Sequence, residues 1–517
     1  MTWIPWLAAL APLTYLLISL APEGAFPIRK ASLAAGWLSL VLAGAGLAGA
    51  LAFGAASTPT FGAAGLGAAV RVDALSALLA SLIGFIGLIV VAYSGNYLAG
   101  DGGQERFIRQ LCLTLGLLQG LVLSGNLMQL VVCWIAASLC VNRLLLFRAE
   151  RRTAVLAARK RFLVSRLADV SLIGAAALLW HAAGSGDLGP ILAAAKQGDV
   201  PDWGFAGALL ALAAIFSSAQ LPFHGWILEV METPTPVSAL LHAGVVNAGG
   251  FLVLRFGVVM AAHPGVMLML TAVGAVSAVF GSLVMLTQTS VKVALAYSTI
   301  AQMGFMLLEC GLGAFSAALL HILAHAFYKA HAFLSAGGAA LADKKSALAA
   351  RPAPAAAILA VPAVVALAAL VMTGLGVGPT QRPGAFVLSA VLLLGLARVW
   401  MQRRGRQAIV AAVASSLVVV PAYLAGQAIF ARLIGDLGAP IGAPSWISVT
   451  AALGVVALMT GLVCMQLRLP GQSASPAWSR AYALVSNGFY LNTIANRWVL
   501  RLWPASPSNS TQPGAAT

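Results

Sequence analysis

His321, His325 and Lys329 stand four residues apart within the stretch HILAHAFYK, a spacing that places all three on one face of an α-helix. The residues around them are apolar enough to span a bilayer. A charge at membrane depth costs from about 2.5 to more than 10 kcal/mol depending on the reference state, so this stripe must face water, a buried relay or paired partners. Two imidazoles that titrate near neutrality beside a lysine suit stepwise proton transfer. A pair of histidines at i and i+4 is also a known metal-ligand spacing. Here no Glu lies between them as in HExxH, and a lysine one turn further on disfavours a dication, so no metal is expected in this chain.

Two further clusters carry charge among apolar residues. The first runs from Gln220-Leu-Pro222 through His224, Glu229 and Glu232 to Pro234-Thr-Pro236 and His242. Pro222 removes a backbone donor and clashes with the preceding turn, which predicts a helix broken at that point. Broken helices at membrane depth are tolerated where they line a cavity, and their freed backbone groups can serve ions. The second cluster is Gln288 to Gln302, with Lys292, Tyr297 and Thr299, followed by Glu309 near the far end of the same span. Asp169 follows Arg166 by three residues. Each has a simpler reading: Lys292 snorkels to the interface, Glu309 lies at the opposite interface, and Asp169 is an ordinary partner of Arg166 or a helix-terminal charge.

The composition dictates what must position these groups. Of 517 residues, 61% are hydrophobic and only 9% charged, with a mean hydropathy of +0.94, which marks a polytopic membrane protein. Backbone in lipid is satisfied only by helices or closed barrels, and runs of about 20 apolar residues select helices. The expected fold is all-α, with 14 to 15 spans at 3–20, 31–54, 74–98, 107–125, 127–147, 162–183, 204–228, 235–260, 266–287, 291–311, 314–340, 354–373, 383–400, 407–430 and 446–467.

Cytoplasmic loops collect Lys and Arg. The basic clusters at Arg29-Lys30, Arg148 to Arg166, Lys344-Lys345-Arg351, Arg403-Arg404-Arg406 and Arg468 share one side only if 204–228 and 235–260 are separate spans. That parity predicts an N-terminus outside and a C-terminus in the cytoplasm. The net charge of +16 reads as this asymmetry plus contact with anionic lipid headgroups, so no nucleic-acid partner is expected. Cys112, Cys133, Cys140, Cys310 and Cys464 show no metal spacing and read as small apolar packers. The first span lacks a charged leader and a cleavage site and reads as a retained helix. The Ser/Pro/Ala-rich tail after Trp503 reads as disordered.

Several of these stretches resemble the antiporter-like membrane subunits shared by respiratory complex I and the multisubunit cation/proton antiporters. The resemblance rests on Val70-Arg-Val-Asp73-Ala-Leu-Ser76, Ser218-Ala-Gln-Leu-Pro222, Pro234-Thr-Pro-Val-Ser-Ala-Leu-Leu-His242, Leu295-Ala-Tyr-Ser-Thr299 and His321-x3-His325-Ala-Phe-Tyr-Lys329. It implies two inverted five-helix repeats, each with a broken helix, at 107–260 and 261–403. N-terminal helices at 1–106, C-terminal helices at 404–470 and a cytoplasmic segment at 471–517 complete the implied organisation. It also implies an ion path through Asp169, His242, Lys292, His321, His325 and Lys329, with Glu229, Glu232 and Glu309 as further candidates.

The departures from that pattern are informative. Where the family has a Glu after a Trp, this chain has Trp134-Ile135; where a Lys precedes Ser-Ala-Gln-Leu-Pro, Ser217 stands; and 354–390, where the second broken helix normally carries a Lys, has none. The wording from Met231 to Leu252, and the closing Ser486-Asn-Gly-Phe-Tyr490, is closer to a third branch, the membrane subunit of the two-component DAB inorganic-carbon accumulation complex. This implies a transport subunit, not an enzyme, that uses protons or Na⁺ to energise a large peripheral partner resembling a zinc β-carbonic anhydrase. The zinc would reside in that partner, with no cofactor in this chain. The alternative is a proton-translocating subunit of a respiratory NADH dehydrogenase-like complex or a cation/proton antiporter.

Overall fold

A computed structural model of the chain describes residues 3–24, 26–198, 203–339, 355–374, 376–402, 406–434, 446–468 and 476–504. Helices α1 (Ile4–Leu20), α2 (Ile28–Phe53) and α3 (Ala74–Tyr97) form the N-terminal group. The loop between α2 and α3 departs from an all-α fold. In it β1 (Ala56–Ser57) pairs antiparallel with β4 (Arg71–Val72), with Ala56 opposite Val72, and β2 (Phe61–Ala63) pairs with β3 (Leu66–Ala68). Asp73 ends this loop and starts α3 through a reciprocal cap with Ser76, satisfying two of the donors that a helix N-terminus leaves open.

The chain continues through α4 (Gln104–Val122), α5 (Leu127–Leu145) and α6 (Arg152–Ala183). Helix α6 starts ten residues before the span expected from hydropathy. Its first turns, RTAVLAARKR, are rich in good helix formers, so the helix extends past the apolar stretch. That extension buries Lys160 and Arg161, which hydropathy assigns to a loop.

After the short α7 (Leu188–Gln197), α8 (Gly204–Ser217) stops five residues before Pro222, and the chain is non-helical until α9 (Gly225–Glu229). The break is where the sequence predicts it but starts earlier, because proline also pushes its predecessor out of the helical region, and Ala219 adopts φ +53°. The stretch 235–260, expected as one continuous span, is also broken. It consists of α10 (Thr235–Ala243), a 3-10 turn at Val245–Asn247, α11 (Ala248–Arg255) and α12 (Gly257–Ala261). Gly244 leaves the helical region at φ −125°, ψ −65°. Small residues let the neighbours in: a Cβ on Gly250 would lie 2.2 Å from Met306 Sδ.

Helices α13 (Pro264–Met285) and α14 (Val291–Gly311) pack at backbone contact. A Cβ added at Gly274, Gly281, Gly304 or Gly311 would come within 2.5–2.7 Å of a backbone atom of the other helix. Small residues permit such approach where lipid supplies no hydrophobic drive between helices. Helix α15 (Phe315–Ala339) lies against α14 and α10. Beyond it come α16 (Ala355–Gly374), α17 (Pro383–Gln402), α18 (Arg406–Ile434), α19 (Trp446–Arg468), α20 (Pro476–Ser486) and α21 (Leu491–Leu502). In 354–390, where the resemblance implies a second broken helix, α16 runs unbroken across Pro362 and a turn precedes α17.

Nine helical stretches among the described residues are long and apolar enough to cross a membrane, and Ile4–Leu20, Gly204–Ser217, Val361–Gly374 and Pro383–Ala397 are shorter apolar helices. The connecting loops sort to two opposite ends. At one, Asp187 accepts from Thr60 and Asn126. At the other, Arg148 pairs with Asp101 at 3.0 Å and Arg29 donates to Asn96 at 2.5 Å. The second end carries Arg29 and Arg148 of the basic clusters. Lys344, Lys345, Arg351, Arg403, Arg404 and the tail beyond 504 lie outside the described residues.

Candidate functional site: a buried charged stripe on three helices

Lys329 and His325 are fully buried on α15, at 0% and 4% exposure. Lys329 Nζ donates to the carbonyl of Leu295 on α14 at 2.9 Å. Neither ring nitrogen of His325 has a hydrogen-bond partner, although the ring lies within electrostatic reach of His321, Lys329 and His242. His321 continues the stripe, its ring centroid 6.2 Å from that of His325. At its other side His321 Nδ1 meets Glu309 Oε2 at 3.0 Å. Glu309 is therefore buried and paired with His321.

His242 joins the stripe from α10, in the broken stretch 235–260. Its ring stacks on Phe333 of α15 with centroids 4.2 Å apart, and its Nδ1 lies 2.9 Å from Thr299 Oγ1. The Thr299 hydroxyl in turn donates to the Leu295 carbonyl at 3.1 Å, the same oxygen that receives Lys329. With its single proton used there, Thr299 accepts from Nδ1–H of His242, which leaves the Nε2 lone pair free. That Nε2 is buried without a partner. The stripe thus holds two imidazoles with open nitrogens, one ammonium and one carboxylate–imidazole pair, all on α10, α14 and α15.

Three other sequence candidates fall elsewhere. Glu229 pairs with Lys160 at 2.5 Å, away from His242. Lys292 is only partly buried near the start of α14 and reaches Thr235 Oγ1 at 3.5 Å. Asp169 contacts Arg166 at 2.7 Å as a charge pair without a directed hydrogen bond, the ordinary partnership its spacing suggested. The Glu232 side chain lies outside the described residues. Pro222 sits inside the first break, as expected.

Of the positions that depart from the family pattern, Ser217 lines a small cavity. Trp134, Ser138, Arg161 and Trp226 line it too. Arg161 is 5% exposed and donates to the Ser138 carbonyl at 2.9 Å. A cation therefore stands beside Ser217, supplied by α6 instead of α8. Hydropathy could not find it, because Arg161 belongs to a basic run that reads as a loop. Arg255 was missed for a different reason: nothing nearby in sequence marks its partner. It is fully buried and holds Asp73 through two contacts, at 2.5 and 3.1 Å. Among the described residues, no group of three or more His, Cys, Asp or Glu side chains could hold a metal ion.

This arrangement coincides with a match to known proteins. The family described as "NADH:quinone oxidoreductase/Mrp antiporter, TM" matches residues 124–417, more than half of the chain. The chain belongs to that antiporter-like family. A second description, "NADH-Ubiquinone oxidoreductase (complex I), chain 5 N-terminus", matches residues 60–108. The "Probable inorganic carbon transporter subunit DabB2" of Halothiobacillus neapolitanus is 37% identical over 477 residues, covering 88% of this chain and 84% of that protein. The DabB subunit of Hydrogenovibrio crunogenus is 36% identical, covering 84% and 82%. The "NAD(P)H-quinone oxidoreductase chain 5" of Synechocystis is 39% identical but covers only 52% of this chain and 40% of its own length.

A solved chain from the Mrp complex of Dietzia superposes with a TM-score of 0.57 at 25% identity. It covers 98% of this chain, which spans 57% of that one's length. Within the antiporter-like family the chain is therefore DabB-like, a multi-pass membrane subunit of transporter type.

Proposed function

We propose that this chain conducts protons, or Na⁺, through the buried stripe of Lys329, His325, His321 and Glu309 with His242 at its side. Downhill flow energises one-way CO₂ hydration or bicarbonate accumulation by a peripheral partner resembling a zinc β-carbonic anhydrase. The zinc and the hydration chemistry belong to that partner. The observation that carries the reading is the open nitrogens of His325 and His242 beside a buried ammonium. Buried polar atoms are nearly always hydrogen-bonded, and groups that must take up and release a proton are where that rule gives way. Similarity to DabB subunits favours the inorganic-carbon branch. The positive-inside asymmetry supports a bacterial inner membrane with the basic end and the C-terminus in the cytoplasm.

A second reading, a proton-translocating subunit of a respiratory or antiporter complex, is favoured by the complex I relatives. It is weakened by Ile135 and Ser217, which lack the charges of the family's first repeat. The deciding experiment is growth in ambient air of a carbonic-anhydrase-deficient bacterium expressing the chain with its genomic neighbour. Rescue that needs both proteins and collapses with a protonophore supports gradient-coupled carbon accumulation. No rescue, with both proteins intact in the membrane, returns the reading to the respiratory or antiporter class.

A further inference from the structure

Lys160 on α6 is 3% exposed, and four oxygens surround its ammonium: Glu229 Oε1 at 2.5 Å, Asn496 Oδ1 at 2.6 Å, Asn492 Oδ1 at 2.7 Å and the Gly225 carbonyl at 3.1 Å. The two asparagines come from α21, spaced four residues apart and so on one helical face. Each bridges the ion pair, its oxygen accepting from Lys160 while its amide nitrogen donates to Glu229 Oε1, at 3.2 Å from Asn492 and 2.9 Å from Asn496. Arg159 donates to the Trp503 carbonyl at 2.8 Å, and Gln288 to the Ser486 carbonyl at 3.0 Å. These bonds tie the C-terminal helices to the basic end of the bundle.

Three features separate this cluster from a plain anchor. Glu229 Oε2 and the ring nitrogens of His224 are buried without a side-chain partner. His224 directly precedes Gly225, whose carbonyl Lys160 holds, and it lies in the first helix break. Exposure falls stepwise from the Glu229 side chain at 14%, through Lys160 at 3%, to His224 at 1%. A cluster made only to hold α21 would gain from pairing those atoms, since each unpaired buried polar group costs about 1–3 kcal/mol.

We infer that Glu229, Lys160 and His224 form the proton entry site from the basic end, and that α21 completes it through Asn492 and Asn496. The inference rests on the transport reading above and deepens it. A proton arriving at Glu229 Oε2 neutralises the carboxylate and dissolves the ion pair. Lys160 then passes one ammonium proton to a ring nitrogen of His224 and takes its replacement from Glu229, whose carboxylate is restored. The net result is one proton moved from the basic end to the helix break.

The test uses the whole complex, reconstituted in liposomes with an internal pH dye and a potassium–valinomycin potential. Glu229→Gln, and the neutral pair Lys160→Met with Glu229→Gln, should each slow proton entry about tenfold, against a wild-type control at equal assembled protein. The double variant leaves no unpaired buried charge, so it reads the site even if the single variant fails to assemble. Asn492→Ala with Asn496→Ala touches only α21 and should slow entry several-fold. Restoring the pair with Glu229→Asp should recover part of the rate, which an anchoring role alone would not require. A double variant that conducts like wild type overturns the entry site while leaving the transport reading in place. If the double variant does not assemble, wild-type conduction by the asparagine variant overturns it instead. A wild-type complex that passes neither protons nor Na⁺ overturns the transport reading itself.

Discussion

Glu309 and His321 meet at 3.0 Å from two different helices, both largely buried. The contact closes one end of the stripe on α15, and it turns an acidic residue that could have sat at a membrane surface into the partner of an imidazole. If the pair relays protons, Glu309→Gln keeps a hydrogen-bonding oxygen but cannot accept a proton. Conduction by reconstituted complex is expected to fall about tenfold or more, equivalent to about 1.4 kcal/mol on the barrier, with unchanged assembly by size-exclusion chromatography. Wild-type flux in that variant would remove Glu309 from the path.

Lys329→Ala and His325→Ala are expected to abolish rescue of a carbonic-anhydrase-deficient strain in air while the protein still reaches the membrane. Thr299→Val is the more discriminating change. It removes the acceptor that fixes the His242 tautomer and one donor to the Leu295 carbonyl, at a stability cost of about 1 kcal/mol. Flux should drop several-fold in Thr299→Val, measured beside a thermal melt of the purified complex. A melt shifted strongly with flux intact would show that the threonine is structural.

Asp73 makes a pH prediction outside the spans. Burial works to raise its pKa, but Arg255 and then Arg71 outweigh that and hold the carboxyl below the usual carboxylate range. The folded pKa is depressed, so the stabilisation is present above the unfolded value of about 3.9 and is lost as pH falls towards the folded value. Stability should show no Asp73-dependent change from neutrality down to roughly pH 4 and fall below it. Asp73→Asn should lose about 3–5 kcal/mol at neutral pH by leaving Arg255 buried without its counter-charge. Denaturant melts of wild type and variant across pH check both statements.

The glycines between α13 and α14 offer a packing test. Gly304→Leu would place side-chain atoms where the backbone of Ala278 already sits 2.7 Å from a Cβ. Overpacking of this kind costs about 1–3 kcal/mol, occasionally more, and here it would also push α14, with Glu309 and Thr299, away from its neighbour. Reduced melting temperature together with reduced flux is expected; an unchanged melt would mean the two helices separate without cost.

The sequence alone determined the membrane class, the break near Pro222 and the stripe His321–His325–Lys329. These are properties of local hydropathy, proline geometry and helical period, which need no knowledge of distant residues. The tertiary structure decided who faces whom. Glu309 found His321, Thr299 found His242 across 57 residues, and Arg255 found Asp73 across 182. It also separated Glu229 from His242 and gave it to Lys160, because α6 runs ten residues further than its apolar stretch and α21 folds back onto the basic end. Pairing of buried charges depends on which helices pack together, and a one-dimensional pattern carries the depth of each charge but not the identity of its partner.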